Sequence, residues 1–174
     1  GEGWETNTDF TPIGDSRAVK GGLYREVISD FPETLRMVGP GGNVATNSLI
    51  GICVYESLLQ VDSRTMSYLP SLATHWQISA DKTQFRFRIN PNARFSNGEA
   101  VTANDVVASW TLLTDNTLQD PSKTAQFSRF SKPVAESKYI VRVKADRVSW
   151  MNFKDFSASL LIYPASALKG LKGS

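Results

Sequence analysis

The alternation of apolar and polar side chains is clearest over residues 84–90. Every second residue there is apolar, which predicts an antiparallel strand with one face buried. The residues of the buried face are Phe85, Phe87 and Ile89. A strand over 76–79 precedes it, joined by a turn at 80–82. Residues 139–144 alternate in the same way, and we expect them to pair with 132–137 across a short turn.

Helical spacing predicts two main helices. The first covers 46–60, and its apolar face is formed by Leu49, Ile50, Cys53, Val54, Ser57 and Leu58. The second begins near Ala103, where Thr102 is the expected N-cap and Asp105 the reciprocal partner three residues on. A surface helix docked through aromatic residues is predicted over 148–158, and a further helix begins near Ala165.

Other segments carry weaker patterns. Residues 1–19 predict a loosely docked N-terminal arm. Residues 21–29 predict a strand opened by glycines and ended by Pro32. A short helix or turn is expected at 70–76, and residues 111–129, interrupted by Pro121, predict a helix end and a loop. The apolar run 160–164 predicts a buried strand.

Composition narrows the class of protein. The chain has 174 residues, 41% of them hydrophobic and 21% charged, with a net charge of +2, which is typical of a globular domain and gives no nucleic-acid footprint. No apolar run approaches the about 20 residues of a membrane span. The first ten residues, GEGWETNTDF, lack the features of a signal peptide.

The residue types that carry catalysis are scarce. There is one histidine, His75, and one cysteine, Cys53, so neither a metal site nor a disulfide is expected. No G-x-S-x-G elbow is present. His75 is expected to be structural and Cys53 to be a small buried side chain. We therefore expect a protein that is not an enzyme and needs no cofactor.

The sequence Gly39-Pro40-Gly41-Gly42-Asn43 is the strongest loop signal. A phosphate-binding loop would end in GK[ST], and no lysine follows here. The alternatives are a plain loop and a loop whose glycines let the backbone approach a ligand closely.

The segment 70–110 resembles a region of the family-5 extracellular solute-binding proteins, which serve bacterial ABC importers. The pattern there is P-x-L-A-x-x-W, a strand with alternating Phe, then F-x-x-G-x-x-V-T-A-x-D-V-x-x-S-W. The matching residues are Pro70, Leu72, Ala73, Trp76, Asp81, Phe85, Phe87, Ile89, Arg94, Phe95, Asn97, Gly98, Val101, Thr102, Ala103, Asp105, Val106, Val107, Ser109 and Trp110. Tyr55-Glu56-Ser57-Leu58-Leu59 also fits the family.

This resemblance implies an α/β fold of the periplasmic-binding-protein type, class II and peptide-binding. The chain would be the N-terminal part of the first lobe, with a mixed sheet and packed helices. Its implied division is an arm over 1–20, the lobe region over 21–168 and a truncated end over 169–174.

The resemblance also implies a role and a site. The protein would capture peptides or peptide-like solutes in the periplasm, and its full-length precursor could carry a lipid anchor. Its partners would be the importer's membrane permease and the remainder of the binding protein, its second lobe; nucleic acid is not expected. The implied ligand-binding residues are Gly42, Asn43, Val44, Ala45 and Tyr24. Two alternatives stay open: a structural fragment without ligand, and a binder of nickel or another solute.

Overall fold

The computed structural model describes residues 3–9, 14–28 and 31–169. Within these residues the chain forms short strands and helices around one core. The strands are β1 (Leu59–Val61), β2 (Tyr68–Pro70), β3 (Ala73–Ile78), β4 (Gln84–Ile89), β5 (Val134–Ser137) and β6 (Ile140–Lys144). The helices are α1 (Ala45–Val54), α2 (Ala103–Leu113), α3 (Pro121–Phe127), α4 (Trp150–Ala158) and α5 (Ala165–Leu168), with a 3-10 turn at Asn116–Leu118.

The main sheet has four strands in the order β3-β4-β6-β5, and β1 pairs with β2 separately. These pairs are antiparallel. The predicted α/β class is confirmed, as is the predicted pairing of 132–137 with 139–144.

The core lies between the main sheet and helix α4. The apolar face of β4 is buried as the alternation predicted, with Phe87 fully inaccessible. The ring of Phe87 stacks on both Phe153 and Phe156, with centroids 5.7 and 5.9 Å apart. Phe153 and Phe156 are buried while Trp150 is 83% exposed, so two of the three predicted aromatics dock α4.

Helix α2 begins at Ala103, as predicted. The carboxylate of Asp105 accepts hydrogen bonds from the backbone N–H and the hydroxyl of Thr102, at 2.7 and 2.6 Å. These contacts satisfy backbone groups that a helix start leaves unpaired.

The N-terminal arm is more firmly docked than predicted. Glu5 forms an antiparallel bridge with Trp76 at the edge of β3, with both backbone hydrogen bonds present. The ring of Trp4 lies 4.5 Å from the Arg88 guanidinium. A free sheet edge offers unpaired backbone groups, and residues 4–6 satisfy some of them.

Two predictions for residues 21–60 are wrong. Residues 21–28 form no strand and are exposed, because no neighbouring strand pairs with them among the described residues; Ser29 lies outside the described residues. Helix α1 ends at Val54 and not at residue 60, and Cys53 is exposed. The buried residues of α1 are Asn47 and Gly51, so the apolar face predicted for this helix is exposed to solvent for the most part.

Three smaller differences have local causes. Residues 70–76 contain the end of β2, a bend at 71–72 and the start of β3 instead of a helical turn, because the two strands pair with β1 and β4. Pro121 begins α3 instead of interrupting a loop, since Asp120 accepts a hydrogen bond from the Lys123 N–H and proline suits the first helical turn. Residues 160–164 are largely buried but lie in no ladder; the Ile162 N–H donates to the carbonyl of Glu56.

Candidate ligand site at the glycine loop

The glycine loop, residues 39–43, leads directly into helix α1. Gly39 and Gly41 have φ of 87° and 70°, in the left-handed region that glycine adopts without steric penalty. The Gly42 N–H closes the loop on the carbonyl of Gly39 at 3.0 Å. A Cβ on Gly42 would lie 3.1 Å from the carbonyl oxygens of Arg36 and Gly39, so this position has little room for a side chain.

The predicted site residues divide into three sets. Gly42 is buried, whereas Asn43, Val44 and Ala45 are exposed at the start of α1. Val44 is the N-cap of α1, and its side chain makes no capping hydrogen bond. Tyr24 is 84% exposed, and its hydroxyl donates to the carboxylate of Glu26.

A cavity of about 190 Å³ adjoins the glycine loop. Gly42 and Asn43 line it together with side chains from α3 and from the segment 159–163. Val44, Ala45 and Tyr24 are not among its lining residues. Its polar side chains include those of Asn43, Ser48, Asp120, Ser122, Lys123 and Ser159.

A second cavity of about 570 Å³ shares part of its wall with the first. Met37, Val38 and Tyr163 line both cavities. The wall of the larger one is mainly apolar, with Arg36, Glu56 and Arg94 as charged members. The Glu56 carboxylate accepts from the Ser71 hydroxyl at 3.2 Å, and Arg94 donates to the carbonyls of Pro91 and Ala93 at 2.7 and 2.8 Å.

Sequence reasoning missed this larger cavity. The predicted helix over 46–60 includes Tyr55 and Glu56, whereas α1 ends at Val54 and both residues line the cavity. Arg94 belongs to the family motif, which gives no indication of a cavity. The signal that was available is the Tyr55-Glu56 pair itself, because polar residues after a helix end commonly lie at a surface opening.

Tyr163 connects the two cavities to the core. It is buried, and its ring lies 4.9 Å from that of Tyr55 at an angle of 58°. Burial raises the pKa of Tyr163 well above its ordinary value, and the neighbouring Tyr55 adds to the increase. The hydroxyl is protonated at neutral pH, as in any ordinary tyrosine, and can act as a hydrogen-bond donor; the raised pKa extends this state to higher pH.

Helix α2 holds Tyr163 in place. The Ser109 hydroxyl accepts the Tyr163 N–H at 2.8 Å and donates to the carbonyl of Asp105 at 2.7 Å. The second carboxylate oxygen of Asp105 accepts the Ala165 N–H at 2.8 Å. Asp105 and Ser109 of the T-A-x-D-V-x-x-S-W motif therefore fix the backbone at 163–165, where Tyr163 lines both cavities.

The described residues offer no other reactive centre. No cluster of three or more His, Cys, Asp or Glu side chains that could hold a metal ion occurs among them. His75 lies on β3, where its Nδ1 is 2.9 Å from the hydroxyl of Thr74. In the same residues, helices fall short of the length and apolar character needed to cross a bilayer.

Comparison with known proteins starts from a family model. Residues 67–172 match the model described as bacterial extracellular solute-binding proteins, family 5 Middle. A putative binding protein of Haemophilus influenzae is 36% identical over 63 residues, which are 36% of this chain and 12% of that protein.

Solved structures show the same fold. AgaA of A. tumefaciens R10, in complex with agropinic acid, has a TM-score of 0.69 at 23% identity, over 79% of this chain and 27% of its own. OppA of H. influenzae, in complex with RPPGFSPFR, has a TM-score of 0.64 at 23% identity, over 72% and 28%. NikA of Brucella suis, in complex with Fe(III)-EDTA, has a TM-score of 0.65 at 20% identity, over 78% and 26%.

The matched region contains the main sheet, helix α2 and the segment around Tyr163; the end of α2 and the Tyr163 segment line both cavities. The chain spans about a quarter of the length of these solved structures. It belongs to the family-5 bacterial extracellular solute-binding proteins, as the motif at 70–110 indicated.

Proposed function

We propose that this chain is part of a binding protein that captures peptides or peptide-like solutes outside the cytoplasmic membrane and delivers them to an ABC importer. The observation that carries the proposal is the family match over residues 67–172. The partners are then the ligand, the importer's membrane permease and the remainder of a two-lobed binding protein.

The ligands of similar proteins define the chemical range. The ligands bound in similar solved structures include a nonapeptide, the opines agropinic acid and mannopinic acid, and the metal chelate Fe(III)-EDTA. Among these we propose peptides. Peptide ligands can be held through main-chain hydrogen bonds, which tolerate many side chains. The glycine loop can supply backbone groups for such bonds, since its residues leave room for close approach.

We propose the glycine loop and the start of α1 as the contact region for the ligand main chain. Gly42 and Asn43 already line the smaller cavity, and Val44 and Ala45 are exposed beside it. The larger, mainly apolar cavity next to it suits a ligand side chain, because binding pockets are commonly apolar with a few polar groups that fix orientation. Tyr24 is proposed as an outer contact.

The test is to identify the ligand that accompanies the native protein. The polypeptide that carries this sequence would be isolated from its own host without denaturation and analysed by native mass spectrometry. We expect an added mass of a short peptide that disappears when the protein is denatured. Trialanine added to ligand-stripped protein should restore a complex.

Two results would contradict the proposal. An opine or a metal chelate as the bound species would place the protein in a different ligand class. Absence of any adduct, together with no trialanine binding by calorimetry, would exclude a peptide-capturing role.

A further inference from the structure

The buried face of helix α1 is not its apolar face. Asn47 and Gly51 are buried, while Ile52 and Val54 are 81% and 66% exposed. Residues four apart lie one above the other on the same side of a helix. Asn47 and Gly51 therefore form one continuous strip, and this strip faces residues 34–42.

The side-chain amide of Asn47 joins two separate pieces of backbone. Its Nδ2 donates to the carbonyls of Thr34 and Arg36, both at 2.9 Å, and to that of Gly42 at 3.1 Å. A carboxamide has two N–H groups, so one of them is shared between two acceptors. Asn47 has no accessible surface. It thus ties the glycine loop to the segment 34–36 from inside the protein.

The oxygen of the same side chain makes no such contact. Oδ1 of Asn47 is buried and has no hydrogen-bond partner among the described residues. An unpaired buried acceptor is unfavourable. Both N–H groups of the Asn47 amide donate hydrogen bonds, whereas its oxygen accepts none. Asn47 therefore stabilises the structure as a hydrogen-bond donor.

Gly51 supports the same segment through packing. A Cβ on Gly51 would lie 2.5 Å from the terminal methyl of Met37 and 3.7 Å from a methyl of Leu161. Met37 lines both cavities. Because Gly51 has no side chain, the Met37 side chain can pack directly against helix α1 and hold its place in the cavity wall.

We propose that Asn47, assisted by Gly51, is the positioning residue of the ligand site: it holds residues 34–42 in the shape that forms the shared wall of both cavities. The expected effect of Asn47 on ligand affinity rests on the function proposed above. The positional role is a property of this chain and can be measured without a ligand.

The experiment is hydrogen exchange of the 174-residue chain and its variants. N47D keeps the size of the side chain and removes the donor, and N47A removes both. Asn152 provides a matched control, because it is also fully buried, donates to the carbonyl of Arg147 at 2.7 Å and has an unpartnered Oδ1. N152D makes the same chemical change in helix α4, away from the glycine loop.

The hydrogen-bonded amides of Gly39, Gly42 and Val44 are the reporters. In N47D we expect them to exchange about tenfold faster than in the wild type, equivalent to about 1.4 kcal/mol of local protection. In N152D we expect their exchange to follow only the change in global stability. Equal exchange at these amides in the two variants would overturn the proposal.

A second variant keeps the test decisive if N47D and N47A do not fold. G51V places a branched side chain against Met37, and we expect the same local loss of protection over 34–44. Unchanged exchange in a folded G51V protein would contradict the role assigned to this strip.

Trialanine affinity, measured on the whole two-lobed protein that carries this sequence and its variants, separates the positional role from the function. If the wild type binds, N47D should bind about tenfold more weakly while N152D binds normally, and equal affinities would overturn the role at the site. If the wild type does not bind, the proposed function fails, and the exchange rates alone still decide whether Asn47 fixes the loop.

Discussion

Two regions of this chain are similarly rich in large apolar residues and bury them very differently. In residues 58–169 most of these side chains are inaccessible, as for Phe87. In residues 19–54 many are exposed: Val19, Leu23, Val27, Phe31, Leu35, Ile52 and Val54 are each at least 66% accessible. An apolar residue in the sequence therefore does not show by itself whether its side chain is buried, because burial depends on which other segments pack against it.

The physical difference lies in what holds each region. Residues 58–169 form sheet ladders and a helix packed on them, so that one apolar face covers another. Residues 34–54 are held to one another through specific contacts instead, chiefly the amide of Asn47 and the packing of Met37 at Gly51, and the Gly39 N–H connects them to Asp120. Segments with few buried apolar contacts open locally at low free-energy cost.

The sharpest test of this contrast is one substitution made in both regions. F87A removes a fully buried ring that stacks on Phe153 and Phe156, and we expect it to lower the free energy of unfolding by about 3–5 kcal/mol. F31A removes a ring that is 89% exposed, and we expect a change within about 0.5 kcal/mol. Urea unfolding followed by circular dichroism gives both values. Comparable losses in the two variants would show that residues 19–54 are packed as firmly as the core.

A second test concerns the contact between helix α2 and the segment 163–165. D105A removes the acceptor for the Thr102 N–H, the Thr102 hydroxyl and the Ala165 N–H. Because hydrogen bonds to a charged group are strong and buried donors would be left unpaired, we expect a loss of about 2 kcal/mol. Tyrosine near-ultraviolet dichroism should change as well, since Asp105 and Ser109 place Tyr163 beside Tyr55.

Asp115 is the matched control for this substitution. It also accepts a hydrogen bond at the start of a helical turn, from the Thr117 N–H at 2.8 Å. Unlike Asp105 it is exposed, and the donors to its carboxylate belong to Thr117, two residues on. We expect D115A to cost about 0.5 kcal/mol. If D105A cost no more than D115A, the contact with Ala165 would contribute nothing to closing the core.

The same contrast explains what the sequence could predict. The strand at 84–90, its buried face and the start of α2 were predictable because alternation, turn residues and caps act between residues close in the chain. The family motif was visible for the same reason, but the contacts of its Asp105 and Ser109 with residues 163–165 were not.

What could not be predicted depends on contacts between distant residues. The orientation of α1 is set by carbonyls of residues 34, 36 and 42, and periodicity within the helix indicated the opposite face. The firm docking of Glu5 depends on the edge of β3, 71 residues later. Of the predicted site residues, Gly42 and Asn43 line the smaller cavity, and the run of glycines was the local signal for that loop. The larger cavity is formed by several segments that are distant in the sequence, so no local pattern could predict it.

The smallest expected effect is a pH dependence that again separates the regions. On the outer face of the sheet, Glu136 accepts hydrogen bonds from Arg86 at 2.8 and 2.6 Å and from Arg142 at 2.9 Å. Partial burial acts to raise the pKa of Glu136, but these two guanidinium groups outweigh it and hold the pKa below its ordinary value. A carboxyl with a lowered pKa in the folded state stabilises that state above its unfolded pKa, about 4.3, and loses this contribution as the pH falls through the folded value.

We therefore expect E136Q to lower the free energy of unfolding at pH 6 by about 0.5 kcal/mol, since the pair is partly exposed and screened. The difference between the wild type and E136Q should be smaller at pH 3 than at pH 6, because protonation of Glu136 as the pH falls removes the charged pairs. E26Q makes the same change in residues 19–54 and should leave the urea midpoint unaltered at both pH values. A difference between wild type and E136Q that persists unchanged at pH 3 would mean that the glutamate acts through packing and not through its charge.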